Sequence, residues 1–215
     1  MSTSLEQVYM THHASRRGAG FVLLGDARSA FLRKAIGTGK KVLDIGCRDG
    51  SLTKLYMEGN TVTGLDIDSA ALARAAELGI ETRQVDLNGD WNTAPASYDV
   101  VVAAKVLEHL YYPEVVLEKI GAVLKPGGML VGTVPNPYSL MNRFRYLIKQ
   151  KRHTSLADPT HINHFSVQEL QTLLEVVFTE VRVEGIGSLG VLARWFPQAF
   201  AFNLCFAAKG PKPRP

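Results

Sequence analysis

Acidic residues lie near the ends of apolar, strand-like runs in this 215-residue chain, close to the turns that follow those runs. Asp44 lies in the run 41–45, which leads into the turn Gly46-Cys-Arg-Asp-Gly50; Asp66 ends a second run, and Asp86 follows a third. Glycine lets a backbone turn sharply and approach a ligand closely. A carboxylate at the end of the second strand can accept hydrogen bonds from two ribose hydroxyls. This order of strand, glycine turn, helix, strand and acid predicts a nucleotide-binding βαβ unit.

The residues of the turn favour one kind of nucleotide over another. A dinucleotide site would carry G-x-G-x-x-G and would hold a pyrophosphate at the helix N-terminus. Here Asp44 and Asp49 place two carboxylates beside the turn. These carboxylates would repel a pyrophosphate but suit a cationic or zwitterionic ligand. The turn therefore argues against a nicotinamide-dependent oxidoreductase.

The turn resembles the first motif, D-x-G-x-G-x-G, of the class I S-adenosylmethionine (SAM)-dependent methyltransferases. The resemblance extends over 41–134, where Val106-Leu-Glu-His-Leu110 and Leu124-Lys-Pro-Gly-Gly-Met-Leu130 are similar to later motifs of that family. Arg48 departs from the pattern, because it stands where the family usually has its middle glycine.

A narrower resemblance comes from two short phrases, Pro135-Asn136-Pro137 and His161-Ile-Asn-His164-Phe165. They are similar to a small bacterial subgroup of the family. That subgroup includes the methyltransferase-like protein of methionine biosynthesis and methyltransferases of sugar pathways.

The family resemblance implies which residues would bind SAM. Asp66 would bind the ribose hydroxyls, Asp86 the adenine amino group, and the backbone N–H of Leu87 an adenine ring nitrogen. A strand-end aspartate is also a common helix N-cap, but Asp68 or Ser69 could cap the next helix instead of Asp66. The candidate cofactor-binding residues are Asp44, Gly46, Cys47, Gly50, Asp66, Ile67, Asp86, Leu87, Ala104 and Lys105.

Three histidines are candidates for catalysis on the acceptor side. The implied reaction transfers a sulfonium methyl group to an aligned nucleophile, and histidine is the natural general base near neutral pH. His109 follows the fourth strand, and His161 and His164 lie in a loop before a capped helix. Structural roles for these imidazoles stay open, and His109 fits packing or a place near the cofactor better than a base. His161-x-x-His164 with Asp158 has metal-ligand types, but no further ligand is evident, so no metal is expected.

Strand and helix patterns alternate along the chain and must position these residues. The predicted strands are 41–45, 61–65, 81–85, 98–103, 129–134, 180–184 and 202–207. The predicted helices are 21–36, 51–58, 69–78, 113–124, 138–152 and 166–177. This alternation predicts an α/β, Rossmann-like three-layer sandwich, in which helices cover both faces of a seven-stranded, mostly parallel sheet. The resemblance adds that the last strand inserts antiparallel.

The chain divides into three predicted parts. Residues 1–39 form an N-terminal helical segment that serves as a lid, and residues 40–208 form the SAM-binding methyltransferase domain. A second lid segment is inserted at 136–165, a connection far longer than usual. The Pro-rich, basic residues 209–215 are predicted to be a disordered tail.

Two segments could contact something other than the cofactor. The basic, amphipathic helix 138–152 could be a substrate lid, a patch for anionic substrates or a membrane-surface helix, or it could pack with a solvated basic face. The apolar stretch 189–200 could wall the acceptor pocket or form a homodimer contact.

Composition limits the class of protein further. The net charge of +4 fits an anionic or membrane-adjacent partner, but it also fits an ordinary solvated surface. The chain contains no apolar run of 18 residues, so a transmembrane span is not expected. Residues 1–10 lack the features of a signal peptide. Cys47 and Cys205 do not suggest a disulfide framework, so a cytoplasmic location is expected.

These observations favour a SAM-dependent methyltransferase that acts on a small-molecule acceptor, with oxygen as the expected methylated atom. The alternative is a non-catalytic, SAM-binding protein that regulates a partner enzyme, and Arg48 keeps that alternative open. A nucleic-acid methyltransferase is disfavoured, because the basic residues are not interleaved with aromatic ones. The fourth strand is also not followed by an Asn/Asp-Pro-Pro-Tyr-like motif for a flipped base.

Overall fold

The computed structural model describes residues 25–152, 154–187 and 189–212, together with Gln7 and Thr11. Most of the predicted N-terminal segment and the last three residues therefore lie outside the described residues. The strands are β1 (Lys41–Ile45), β2 (Thr61–Asp66), β3 (Glu81–Gln84), β4 (Tyr98–Ala104), β5 (Leu124–Pro135), β6 (Phe178–Ile186) and β7 (Asn203–Pro211). The helices are α1 (Gly25–Ile36), α2 (Ser69–Glu77), α3 (Pro113–Val123), α4 (Leu140–Leu147), α5 (Val167–Glu175), α6 (Val191–Trp195) and α7 (Pro197–Phe200).

The seven strands form a single sheet in the order β3-β2-β1-β4-β5-β7-β6. Strands β1 to β5 pair in parallel, and β7 lies antiparallel between β5 and β6. This confirms the mostly parallel seven-stranded sheet and the antiparallel last strand. The strand order reverses at β1 and β4, so the carboxyl ends of these two strands flank the crevice where an open α/β sheet binds its ligand.

Helices cover both faces of the sheet, as a strand with alternating side-chain directions requires. Val42 of β1 packs with Leu32 and Ile36 of α1 on one face. Leu43, the next residue of β1, belongs to the larger core on the other face, which also includes Leu117 of α3. The core therefore lies on both sides of the sheet, and the three-layer prediction is confirmed.

One predicted helix is wrong. The segment 51–58 contains only a 3₁₀ turn, Thr53–Leu55, instead of an α-helix. The buried carboxylate of Asp44 accepts hydrogen bonds from the Thr53 hydroxyl at 2.5 Å and from the Tyr56 hydroxyl at 2.6 Å. Residues three apart eclipse each other in a 3₁₀ turn, whereas in an α-helix they are neighbours that are offset around the axis. The tighter turn therefore lets both hydroxyls reach one carboxylate.

The helix of the insert and the C-terminal tail also have bounds that differ from those predicted. The basic helix of the insert is α4, which ends at Leu147, and Lys149 then adopts a left-handed backbone with φ of 58°. The predicted tail begins too early, because β7 continues through Lys209, which pairs with Met129 and Glu180, as far as Pro211. Pairing on both sides fixes these residues as a central strand.

Candidate functional site

A cavity of about 1050 Å³ opens at the carboxyl ends of the strands. Nine of the ten candidate cofactor residues line it; Gly50 does not. His109 and His161 line the cavity too, whereas His164 is not among its described lining residues. Pockets for small ligands usually have volumes of about 300–1,000 Å³, so this cavity is as large as the largest of them.

The turn after β1 depends on close backbone approach. Gly46 has a φ of 70°, and a Cβ there would lie 2.6 Å from a methyl group of Val106. The amide nitrogens of Gly46 and Cys47 both donate to the carbonyl oxygen of Leu65. Gly50 serves packing instead of ligand contact, because a Cβ there would lie 2.7 Å from Ile80.

Asp44 is the buried acid of this turn. Its carboxylate is engaged by the hydroxyls of Thr53 and Tyr56, and its side chain also faces the cavity. Burial, opposed by those two hydrogen bonds and reinforced by the nearby charge of Asp66, raises the pKa of Asp44 to about 6. Asp44 is therefore ionised near neutral pH at a cost that a cationic ligand would reduce. Burial, followed by repulsion from Asp44, also raises the pKa of the Cys47 thiol and keeps it protonated.

Asp66 lies at the end of β2 and receives backbone hydrogen bonds from two sides. One carboxylate oxygen accepts the amide hydrogen of Arg48 at 2.8 Å, and the other accepts that of Asp68 at 3.0 Å. Asp68 caps α2 by accepting from the Ala71 amide, as one alternative of the sequence predicted. Asp66 is therefore fixed in place at the cavity wall without serving as the helix cap.

Asp86 and Leu87 follow β3 in a loop that a lysine holds. Asp86 accepts hydrogen bonds from the backbone and side-chain amides of Asn88. The ammonium group of Lys119 donates to the carbonyl oxygens of Leu87, Asn88 and Gly89 and lies 5.8 Å from the centre of the Trp91 ring. These three hydrogen bonds hold the loop in place, and Asp86 and Leu87 line the cavity.

Ala104 and Lys105 mark the end of β4. Lys105 has a left-handed backbone with φ of 67°, and its amide donates to the carbonyl oxygen of Thr133 at 2.8 Å. This bend sends the chain away from the sheet into the 3₁₀ turn Leu107–His109. Residues at or just after the carboxyl ends of β1, β2, β3 and β4 therefore all line the same cavity.

His109 and His161 come together although 52 positions separate them in the sequence. Their ring centres are 4.8 Å apart. Nδ1 of His109 lies 2.9 Å from the carbonyl oxygen of Thr160, and Nδ1 of His161 lies 3.0 Å from that of Ser155. Desolvation is the main cause that lowers the pKa of His161 to about 4, so its ring is neutral near neutral pH.

Sequence reasoning missed several residues that complete the cavity wall. Asn203 at the start of β7 is buried, and its side-chain nitrogen, Nδ2, has no hydrogen-bond partner within the described part of the chain. Arg28 comes from α1, and Arg145 comes from α4. Their roles were hidden because nothing in local spacing shows which faces of α1, α4 and β7 point to the strand ends.

The fold and this site together define the class I SAM-dependent methyltransferases, with an acid-lined cavity at the carboxyl edge of a seven-stranded sheet whose last strand is reversed. The family described as "Methyltransferase domain" matches residues 12–177, which is more than half of the chain. The chain belongs to that family.

The chain is also similar to named bacterial relatives. It is 37% identical over 99 residues to a ubiquinone biosynthesis O-methyltransferase of Pseudomonas savastanoi pv. phaseolicola, a match that covers 43% of each chain. It is 37% identical over 112 residues to the protein of that name from Nitrosococcus oceani, covering 49% of this chain and 45% of the relative. The matches thus span less than half the length of these relatives. The narrower resemblance to the methionine and sugar-pathway subgroup stays a prediction.

Solved structures share the fold at low sequence identity. A SAM-dependent methyltransferase from Archaeoglobus fulgidus is 22% identical with a TM-score of 0.65, over 94% of this chain and 99% of that one. A methyltransferase from Mesorhizobium loti that depends on S-adenosylmethionine is 18% identical with a TM-score of 0.64, over 86% of this chain and 98% of that one.

Across the described residues, no helix is both long and apolar enough to cross a membrane.

Proposed function

We propose that this protein binds SAM in the cavity and transfers its methyl group to an oxygen of a small-molecule acceptor. The observation that carries the proposal is the convergence of nine candidate cofactor residues and two histidines on one cavity. The two relatives named above, both ubiquinone biosynthesis O-methyltransferases, support oxygen as the acceptor atom. The size of the cavity supports a second ligand beside the cofactor.

The residues present fit the chemistry of SAM. Asp66 would offer its fixed carboxylate to the ribose hydroxyls, Asp86 and Leu87 would contact adenine, and Asp44 would provide negative charge for the cationic cofactor. When bound, SAM supplies a sulfonium-activated methyl group; transfer breaks the S–CH₃ bond, forms the O–CH₃ bond and releases the proton of the acceptor hydroxyl. His109 and His161 line the acceptor end, where that proton is lost.

The chain's own contribution is positioning and exclusion of water. The backbone turns at Gly46 and Lys105 hold the two central strand ends in a fixed geometry. Alignment of two reactants in such a site can replace much of the entropy cost of their encounter. Because the sulfonium is already a good leaving group, the protein needs only to orient the acceptor and assist the loss of its proton.

Thermal unfolding with added ligand tests the proposal. SAM and S-adenosylhomocysteine should each raise the unfolding midpoint, and NAD should not. At 100 times the dissociation constant a ligand adds about 2.7 kcal/mol, which is roughly 5–10 °C for a chain of this size. Asp66→Ala should weaken binding at least about tenfold (about 1.4 kcal/mol). Asp90→Ala, at an exposed acid that is not among the cavity-lining residues, should bind like wild type. The absence of any shift with either adenosyl ligand would reject the proposal.

We also propose that the acceptor is lipophilic and enters from an anionic membrane surface. The exposed apolar residues of α4 are Leu140, Met141, Phe144 and Leu147. Arg143, Lys149 and Lys151 are exposed near them, and the same helix lines the cavity with Asn142 and Arg145. Helix α4 lies against α7, beside the exposed side chains of Trp195 and Phe196. A basic, apolar surface next to the cavity fits a lipid headgroup region.

A further inference from the structure

Three side chains of metal-ligand type meet at the cavity wall, where His109 and His161 line the cavity and the fully buried Glu108 lies behind them. Glu108 and His109 come from the 3₁₀ turn after β4, and His161 comes from the loop before α5. One ligand atom of each lies within 4.8 Å of those of the other two. The sequence shows His161, His164 and Asp158 as metal-ligand types without a further ligand, and no metal is expected from it. In the structure Asp158 lies 3.8 Å from His161, and Glu108 and His109 lie beside that histidine too.

Glu108 is unusual because its carboxyl group is completely buried. Its relative exposure is 0%, and neither carboxylate oxygen has a hydrogen-bond partner within the described part of the chain. A buried carboxylate without a partner costs several kcal/mol, so natural proteins compensate nearly all such groups. The Nε2 atom of His161 is likewise buried without a hydrogen bond to any described residue. The cluster thus contains a buried carboxyl group and a buried ring nitrogen that have no hydrogen-bond partner among the described residues.

Both rings are oriented for metal binding by the hydrogen bonds of their other nitrogen. A carbonyl oxygen can only accept a hydrogen bond. Nδ1–H of His109 therefore donates to the carbonyl oxygen of Thr160, and Nδ1–H of His161 donates to that of Ser155. In each neutral ring the lone pair then lies on Nε2. Donation from the second nitrogen to a backbone carbonyl is the usual outer support of a metal-bound histidine.

The backbone holds these ligands together before any ion arrives. The amides of Ile162 and Asn163 both donate to the carbonyl oxygen of Glu108 at 2.9 Å. The side-chain amide of Asn163 donates to the carbonyls of Leu107 and Leu110. The loop that carries His161 is therefore fastened to the turn that carries Glu108 and His109.

We propose that Glu108, His109 and His161 bind a divalent transition-metal cation such as Zn²⁺. Two imidazoles and one carboxylate are a ligand set found in catalytic zinc sites, where the remaining position stays open. Ligand atoms around tetrahedral zinc lie about 3.3 Å apart, so small side-chain rotations would close this cluster on an ion. Lys105 and Asp158 are the other charged groups close to His161.

The open position would take the acceptor's hydroxyl oxygen, a role that rests on the proposed methyl transfer. Coordination to a divalent cation acidifies a hydroxyl, so the proton leaves to solvent and the oxygen keeps the electron pair that forms the new O–CH₃ bond. The substrate class is then a small molecule with a metal-binding hydroxyl, such as a phenol with a neighbouring oxygen. The two histidines would assist proton loss through the cation.

Metal binding can be measured without any turnover. We would strip the full-length protein with a chelator and dialyse it against Zn²⁺, or against Co²⁺ for its visible absorption. Wild type should bind one equivalent, and bound Co²⁺ should show the strong absorption of a four- or five-coordinate ion. His161→Ala, His109→Ala and Glu108→Gln should each weaken binding at least tenfold, whereas His164→Ala, a nearby histidine outside the cluster, should bind like wild type.

The outcomes separate this proposal from the proposed function. No bound metal in wild type would overturn it, and so would an equal loss of binding in His164→Ala and His161→Ala. The circular dichroism of each variant shows whether it is folded, and Glu108→Gln tests the site with a side chain of nearly unchanged shape. The remaining outcome is that SAM raises the unfolding midpoint of a protein that binds no metal. That result would support SAM binding and would reject only the metal site.

Discussion

At the scale of single residues, Asp44 couples stability to pH. Its folded-state pKa of about 6 exceeds the ordinary value of 3.8, so the folded state binds this proton more tightly than the unfolded state does. The contribution of Asp44 is therefore most favourable below pH 4 and is lost as the pH rises from about 4 to about 6. Two pKa units correspond to about 3 kcal/mol.

Asp44→Asn isolates this effect, because the amide keeps an oxygen that can accept from Thr53 or Tyr56. We expect the free energy of unfolding of the variant to rise relative to that of wild type between pH 4 and pH 7, by up to about 3 kcal/mol, so that the variant becomes relatively more stable. Urea unfolding at several pH values measures this difference. A pH-independent difference would contradict the buried, costly carboxylate.

The same variant should bind SAM more weakly, by about tenfold (about 1.4 kcal/mol), because the cationic cofactor loses a buried anion. Affinity of the wild-type protein should also fall below pH 6, since a proton on Asp44 competes with the cation. Isothermal titration at pH 5.5 and 7.5 compares the two. Stability gained while affinity is lost would indicate that the charge is kept for binding, a known trade-off at functional sites.

At the scale of elements, Asn136 joins three of them at the acceptor wall. It is buried, and its side-chain nitrogen lies within hydrogen-bond distance of the carbonyl oxygens of Pro197, Gln198 and Ala201. Its backbone carbonyl accepts from the side chain of Asn142 in α4. The end of β5 is thereby tied to α4 and to α7.

Asn136→Ala should lower the free energy of unfolding by about 3 kcal/mol, because buried carbonyl groups lose their donor. Urea unfolding measures the loss. Gln171→Ala, on the exposed face of α5, provides the control and should change stability by less than about 0.5 kcal/mol. A loss in Asn136→Ala no larger than that of the control would contradict the role of Asn136 as a tie between elements.

The elements predicted well from the sequence are those with a local cause. The apolar runs of the sheet are visible one by one, and β1 has the predicted bounds. The helix predicted at 51–58 failed because two hydroxyls turn toward Asp44, a contact that periodicity does not show. Nine of the candidate cofactor residues line one cavity because strand ends converge in any parallel sheet, and their role in binding SAM stays a prediction.

The acceptor end was less predictable, because it depends on contacts between distant segments. His161 was identified as a residue type, but its approach to Glu108 depends on hydrogen bonds from Asn163 to carbonyls of the turn after β4. Glu108 itself stands in an apolar phrase, where its burial has no local sign. Asn203 lines the cavity because β7 inserts beside β5.

At the scale of the whole molecule, the net charge of +4 and the exposed apolar surface of α4 and α6 predict reversible binding to anionic vesicles. Each basic residue near such a surface contributes about 1 kcal/mol, and salt screens this attraction. Binding should therefore be strong at low salt with phosphatidylglycerol vesicles and weak with phosphatidylcholine alone. Trp195 is 75% exposed whereas Trp91 is buried, so a blue shift of tryptophan emission should report docking.

A charged substitution on the exposed apolar surface of α4 tests membrane binding separately from SAM binding. Leu147 is 81% exposed on α4, and Leu147→Glu should abolish vesicle binding without changing the SAM-induced thermal shift, because this side chain is not among the cavity-lining residues. Val115→Glu, at an exposed apolar residue of α3, should bind vesicles like wild type. If wild type ignores anionic vesicles but forms dimers that rise with concentration, the surface covers a second copy of the chain. The acceptor then need not be a lipid-borne molecule.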